Sequence, residues 1–264
     1  MKTIVITGST DGIGKLAATQ LASEGHQVIL HGRNPEKLNA VKKEIINTTG
    51  NQNILAFNAD LSNLNEVNDL AKDISQTSSS IDVLINNAGV FKSNRPTNKE
   101  GLDLRFVVNY LAPVVFTNML MPLLTKGDSR IINLSSAAQA PVSISALCGT
   151  ETIDSQNSYA QSKLALTMWS FYLAAKHPSI TTIAVNPGSL LNTKMVQEAY
   201  GQYWNSADKG ASILCQLAIK EKHLTDSGKY FDNDKGSFSA AHPDAYNQEK
   251  INHLISETNK ILKV

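Results

Sequence analysis

Thr3-Ile4-Val5-Ile6-Thr7-Gly8-Ser9-Thr10-Asp11-Gly12-Ile13-Gly14, followed by a helical pattern over 15–24, decides how this chain of 264 residues folds. The β-branched run breaks at a glycine and restarts with helical period, which predicts a strand, a tight turn and a helix N-terminus. Glycines at such a turn let the backbone approach a pyrophosphate, whose charge is favoured by the free amides and dipole of the helix start. The spacing is Gly-x-x-x-Gly-x-Gly, not the Gly-x-Gly-x-x-Gly of the usual dinucleotide fingerprint. A turn with a purely structural purpose is the plain alternative. The strand before it and the helix after it favour a nucleotide phosphate site, cradled by Gly8, Gly12 and Gly14 with the Ile13 amide.

Outward from this turn, short β-rich runs alternate with longer helical patterns. Strands are expected at 3–6, 27–30, 53–58, 83–86, 130–134, 181–186 and a short 229–231. Helices are expected near 15–24, 36–47, 64–76, 102–124, 159–176 and 207–219. That alternation predicts an α/β fold: a doubly wound parallel sheet of about seven strands, helices on both faces, one domain over residues 1–264. Two stretches stand apart. Residues 137–158 lack a clear period and form a variable loop beside the site, and 190–205 read as a mobile lid. The tail 244–264 reads as an amphipathic helix with Ile251, Leu254, Ile255 and Leu262 on its apolar face.

Composition narrows the function. A formal net charge of +1 gives no pull towards nucleic acid or anionic membrane. Cys148 and Cys215 are far apart and form no zinc-like cluster, as expected of two free thiols in a reducing compartment. The first strand begins by residue 3, which predicts no signal peptide or N-terminal anchor. The longest largely apolar stretch, read as 164–175, is too short to span a bilayer. A soluble, cytoplasmic protein is the expectation. The histidines (His26, His31, His177, His223, His242 and His253) are scattered without ligand spacing, so no metal site is predicted and surface or turn positions are expected.

Chemistry enters with Tyr159-Ala160-Gln161-Ser162-Lys163. Residues four apart on a helix project from one face. A lysine ammonium there favours the phenolate of a tyrosine, whose ordinary pKa is ~10. Such a phenol exchanges a proton with a carbonyl or alcohol near neutral pH. A solvated Tyr/Lys couple is the plain alternative for the pair alone; the nucleotide turn at the other end of the chain argues against it.

With these features in place, the chain resembles the short-chain dehydrogenase/reductase family over nearly its whole length. Thr7-Gly8-Ser9-Thr10-Asp11-Gly12-Ile13-Gly14 is similar to the family's cofactor turn, and Asp60-Leu61 to its adenine-contacting pair. Asn86-Asn87-Ala88-Gly89 matches the motif after its fourth strand. Asn109, Ser136, Tyr159 and Lys163 fall where the family carries its catalytic tetrad. Asn186-Pro187-Gly188, with Thr193, matches the segment that holds the nicotinamide. Within the family, Thr97-x-x-x-Gly101-Leu102, Phe106-Val107-Val108-Asn109-Tyr110-Leu111 and Ser227-Gly228-Lys229-Tyr230-Phe231 resemble retinol-dehydrogenase-like and WW-domain-oxidoreductase-like members.

The resemblance implies hydride transfer between a nicotinamide cofactor and a small carbonyl or alcohol substrate. Tyr159 would be the acid/base, Ser136 (the second of Ser135-Ser136) would bond the substrate oxygen, and Lys163 would bond the nicotinamide ribose. Asn109 would bind a water linking Lys163 to solvent, with a merely structural buried asparagine as the alternative. Asn87, Ala88 and Gly89 would pack beside the adenosine ribose; Asp60 would meet the adenine or simply cap its turn. The second strand ends Leu30-His31-Gly32-Arg33-Asn34, with glycine and arginine where NAD binders carry a ribose-binding acid. Arg33 can grip a 2′-phosphate that a carboxylate would repel, so NADP(H) is favoured over NAD(H), although Asp11 adds an opposing charge. Tyr200, Tyr203 and Trp204 either line an apolar pocket or simply pack. A catalytically silent NAD(P)-binding sensor or scaffold on the same fold is the competing reading. The apolar helices at 102–124 and 159–176 suit a homodimer, unless the long loop covers them and leaves a monomer.

Overall fold

Eight strands are present among the described residues, 1–124 and 128–263, of the computed structural model. They are β1 (Thr3–Ile6), β2 (Gln27–Gly32), β3 (Ile54–Asn58), β4 (Val83–Asn86), β5 (Arg130–Leu134), β6 (Thr181–Asn186), β7 (Lys229–Asp232) and β8 (Ser237–Ser239). One sheet results, in the order β3-β2-β1-β4-β5-β6-β7-β8. Every pairing is parallel except β7 with β8, which is antiparallel. β4, β5 and β6 are buried at every residue, as continuous apolar strands of a sheet covered on both faces must be. The chain winds outward from β1 to β3, then crosses back to β4 on the other side of β1. That reversal leaves a crevice at the carboxyl ends of β1 and β4.

Helices α1 (Gly12–Ser23), α2 (Pro35–Thr49) and α9 (Ala207–Ile219) bury their apolar stripes on one face of the sheet. On the other lie α3 (Leu64–Thr77), α4 (Leu104–Phe106), a π-helical turn at Val107–Leu111, α5 (Ala112–Leu124), α7 (Ser155–Lys176) and α10 (Gln248–Leu262). α6 (Ile144–Leu147) and α8 (Lys194–Tyr200) complete the set. α10 buries Ile251 and Leu254, and its Thr258 Oγ1 lies 2.7 Å from the Tyr110 hydroxyl in the π turn.

Several expectations are corrected. The sheet gains β8, too short and serine-rich to register as a β run; Phe238 anchors it edge-on to Phe231 at 5.1 Å. The stretch 137–158 contains α6, capped by the Ser143 hydroxyl, and α7 begins at Ser155 because Asp154 caps it there. The lid carries α8, capped by Thr193. Among the described residues the longest apolar helical run is Leu104–Leu124, not 164–175. At 21 residues it is long and apolar enough to cross a membrane by length and composition, yet most of it is buried in this fold. His31 and His223 are buried rather than in surface turns. Of the three aromatic residues read together there, Tyr203 and Trp204 are 49% and 73% exposed, and the Tyr200 side chain lies outside the described residues.

Candidate active site

The turn from β1 to α1 is shaped by backbone contacts. Gly8 has φ of +65°, and a Cβ there would lie 2.8 Å from Ala88 Cα. A Cβ on Gly14 would lie 2.4 Å from both Asn87 Nδ2 and Gly8 O. Asn87 fills that space because its amide donates to Thr7 O (2.8 Å) and Gly8 O (3.0 Å). The Thr7 hydroxyl accepts from the Asn87 and Ala88 amides, each at 3.0 Å. The β1 turn and the β4 turn are thus one unit. Asp11 caps α1 through the Gly12 amide, and Ile13 packs beside Gly210 of α9. A cradle a methyl group would fill, at the start of a twelve-residue helix, fits a diphosphate.

Ser9 is not brought into this cradle. It is fully buried; its amide donates to His31 O at 2.9 Å, and its hydroxyl accepts from the His31 amide at 2.9 Å. The His31 ring continues the bracing. Nδ1 accepts from the Gly8 amide (3.1 Å), which leaves Nε2–H to donate to Ala59 O (3.1 Å). Burial lowers its pKa to about 4, so the neutral ring holds the turn at neutral pH. Glycine at 32 has a local cause: a Cβ would sit 2.4 Å from Thr10 Cγ2. The next side chain, Arg33, is exposed. Asp11 is met by Lys37 Nζ at 2.6 Å, and that hydrogen bond lowers its pKa. Asp60 accepts from the Ser62 amide at 3.0 Å, capping its own turn, and approaches Arg95 at 3.9 Å; Leu61 is buried.

Across the crevice, α7 carries Tyr159 and Lys163. Lys163 Nζ lies 5.6 Å from the Tyr159 ring centroid and donates to Leu134 O at 2.6 Å. The ammonium is buried, and no carboxylate among the described residues pairs with it. Burial lowers its pKa to about 8. A Cβ on Gly89 would lie 3.5 Å from this Nζ, 3.3 Å from Asn109 Oδ1 and 3.6 Å from Met195 Cε, so four elements meet at one point.

The two serines divide cleanly. Ser135 is buried, its Oγ 2.6 Å from Thr167 Oγ1 and 3.2 Å from Lys163 O. Ser136 is half-buried; its hydroxyl accepts from the Ala138 amide at 3.1 Å, which leaves its proton to donate. Asn109, fully buried in the π turn, accepts from Val90 N (2.8 Å) and donates to Val90 O (3.0 Å) and Ser162 Oγ (2.9 Å). Its amide group is a clamp first; one lone pair of Oδ1 is what remains for a water. π turns recur at functional sites.

The segment after β6 is gripped by the β7–β8 turn. Asn233 Nδ2 donates to Pro187 O (2.8 Å), and Asp234 accepts from the Ser189 amide (2.9 Å) and from Asn186 Nδ2 (2.9 Å). Gly188 has φ of +121°. Thr193, besides capping α8, lies against Gly12, joining lid to phosphate turn. Sequence reasoning missed His31, Phe91, Met195 and the 232–234 turn. Of these only a histidine within an apolar strand gave any signal; the rest act through contacts that no local spacing encodes.

Comparison with known proteins agrees with this geometry. Residues 2–204 match the family model described as short chain dehydrogenase. Human retinol dehydrogenase 13 is 31% identical, with 99% of this chain and 84% of that protein covered. A solved chain from Escherichia coli CFT073, described as a short chain dehydrogenase complexed with NADPH, is similar at a TM-score of 0.73. It is 27% identical, with 88% of this chain and 96% of that one covered. A chain from Shigella flexneri 2A str. 301, so described and complexed with NADP, has a TM-score of 0.71 and 28% identity, covering 88% and 97%.

Proposed function

This chain belongs to the short-chain dehydrogenase family, and from that premise we propose that it is an NADP(H)-dependent reductase of a small carbonyl compound, or dehydrogenase of the alcohol, with Tyr159 as acid/base. As a family member it is an NAD(P)-dependent oxidoreductase acting on CH–OH or C=O groups. The observation that carries the mechanism is the Lys163 ammonium beside Tyr159, buried and without an acid partner among the described residues.

The residues fit the cofactor. Gly8, Thr10, Gly12, Ile13 and Gly14 would hold the diphosphate, Arg33 the 2′-phosphate, and Asp60 and Leu61 the adenine end. Asn87, Ala88 and Gly89 would flank the riboses; Lys163, Pro187, Gly188 and Thr193 would hold the nicotinamide end. The bound nicotinamide supplies or accepts the hydride. Ser136 donates a hydrogen bond to the substrate oxygen, and Tyr159 gives that oxygen its proton. Lys163 favours the phenolate that results. Preference for NADP(H) is supported by the missing acid at Gly32, by exposed Arg33, and by Lys37 offsetting Asp11.

Oxidation of NADPH against a panel of aldehydes and ketones tests the reading. Tight NADPH binding with no turnover of any member would favour the silent sensor instead. A cytoplasmic location belongs to the same proposal, supported by burial of Leu104–Leu124; appearance of the protein in washed membranes on cell fractionation would oppose it.

A further inference from the structure

Arg105 is a buried guanidinium, 3% exposed, with no part in the chemistry above. Its charge is met by Asp103, Nη1 to Oδ2 at 2.9 Å. Its remaining donors go to two separate segments. Nε donates to Phe91 O at 2.9 Å, in the loop after β4, and Nη2 donates to Ser155 Oγ at 2.8 Å, on the first residue of α7.

Asn109 makes the same pair of connections one turn later. Its amide grips both backbone atoms of Val90 and donates to Ser162. Positions 105 and 109 are four apart, so both side chains leave one side of the helical run. Their targets on α7, Ser155 and Ser162, lie four before and three after Tyr159, on its own face. The adjacent targets in the loop, Val90 and Phe91, lead to the Phe91 ring. That ring meets Tyr159 edge-on, centroids 4.9 Å apart and planes at 64°.

We propose that Arg105 is a positioning residue for Tyr159. Together with Asn109 it forms a two-rung brace that fixes α7 and the Phe91 ring on either side of the phenol, an inference that rests on Tyr159 being the proton donor. A forked, planar guanidinium suits the first rung because three acceptors in three directions must be met at once.

Arg105→Lys keeps the charge beside Asp103 but cannot span Phe91 and Ser155 together. Fluorescence titration with NADPH counts folded sites, so turnover is expressed per titrated site. The substrate is whichever of a panel of aromatic aldehydes, aliphatic aldehydes and cyclic ketones the wild type reduces fastest. Arg105→Lys is expected to bind NADPH within about twofold of wild type while kcat per site falls about 10-fold, as misplaced reacting groups require. Ser155→Ala removes one contact at an exposed position and is expected to lower kcat per site about threefold, the double variant falling no further than Arg105→Lys. A purely structural role would lower the number of sites and leave kcat per site unchanged, and that result in both variants overturns the proposal. If Arg105→Lys does not fold, Ser155→Ala and Phe91→Leu decide, wild-type kcat per site in both being the overturning result. Tyr159→Phe runs alongside: if it retains turnover, or the wild type reduces nothing, the reading of Tyr159 fails and takes the inference with it. A silent Tyr159→Phe with wild-type kcat per site in both Arg105→Lys and Ser155→Ala removes the inference alone.

Discussion

The β1–α1 turn and α7 face each other across one crevice and are built on opposite terms. In the turn, Thr7, Ser9, His31 and Asn87 hold backbone amides and carbonyls by short hydrogen bonds. At the helix, an ammonium is buried with Leu134 O as its bond and no acid among the described residues to balance it. Satisfied polar groups stabilise a fixed shape, whereas an unbalanced buried charge works against the fold. One side is arranged for a fixed shape, and the other holds a buried charge that the proposed chemistry would use.

The sharpest way to break this contrast is at the phenol. Tyr159→Phe keeps the ring and its packing on Phe91, so kcat should drop at least ~10²-fold with NADPH affinity nearly intact. Wild-type turnover on a substrate whose chemical step limits the rate would remove Tyr159 from the mechanism. Gly14→Ala attacks the other side. Its methyl would meet Asn87 and Gly8 at 2.4 Å, and NADPH affinity should fall on the order of 10²-fold by overpacking. Unaltered titration curves would show that the turn yields.

Lys163 tests the cost directly. Its folded pKa is about 8 against an ordinary 10.5, so the fold disfavours the protonated form. Below pH 8 both folded and unfolded chains hold the proton and the cost is complete. Between pH 8 and 10.5 the unfolded chain binds more protons, so stability rises with pH. At pH 7, Lys163→Met should therefore unfold at higher urea, by about 2–3 kcal/mol after loss of the Leu134 bond, while losing activity. The gap should narrow towards pH 10; a variant less stable than wild type at pH 7 contradicts the account. Smaller still, Arg33→Ala should raise KM for NADPH about 10-fold and leave NADH unaffected, since only NADPH offers the phosphate. Equal losses with both cofactors count against that assignment. Finally, the segment 243–262 packs on α7, with Tyr246 5.3 Å from Phe171, and covers part of the face a dimer would use. Light scattering at micromolar concentration should give a mass near 28.6 kDa; twice that would restore the homodimer.

The same contrast explains what the sequence made readable. Strands at 3–6, 83–86, 130–134 and 181–186 and the helix at 207–219 lie where periodicity put them, because local pattern and burial agree there. The glycines of the turn were legible because close backbone approach excludes other residues. Arg105, Phe91 and Met195 were not, since each acts on a segment far away along the chain or through a helix whose register no pattern states. β8 was invisible in three residues, and the run Leu104–Leu124, expected as a helix, was not read as the longest apolar stretch because Arg105 and Asn109 interrupt it.

The bond between Tyr110 and Thr258 spans 148 residues and ties the turn bearing Asn109 to the final helix. During synthesis the brace around the phenol therefore lacks its outer support until residue 258 has left the ribosome, on the order of 10 s after Tyr110 is made. The nucleotide turn, completed by residue 89, has its partners far earlier. The turn proposed for the diphosphate is thus made before the segments proposed for the nicotinamide and the proton transfer.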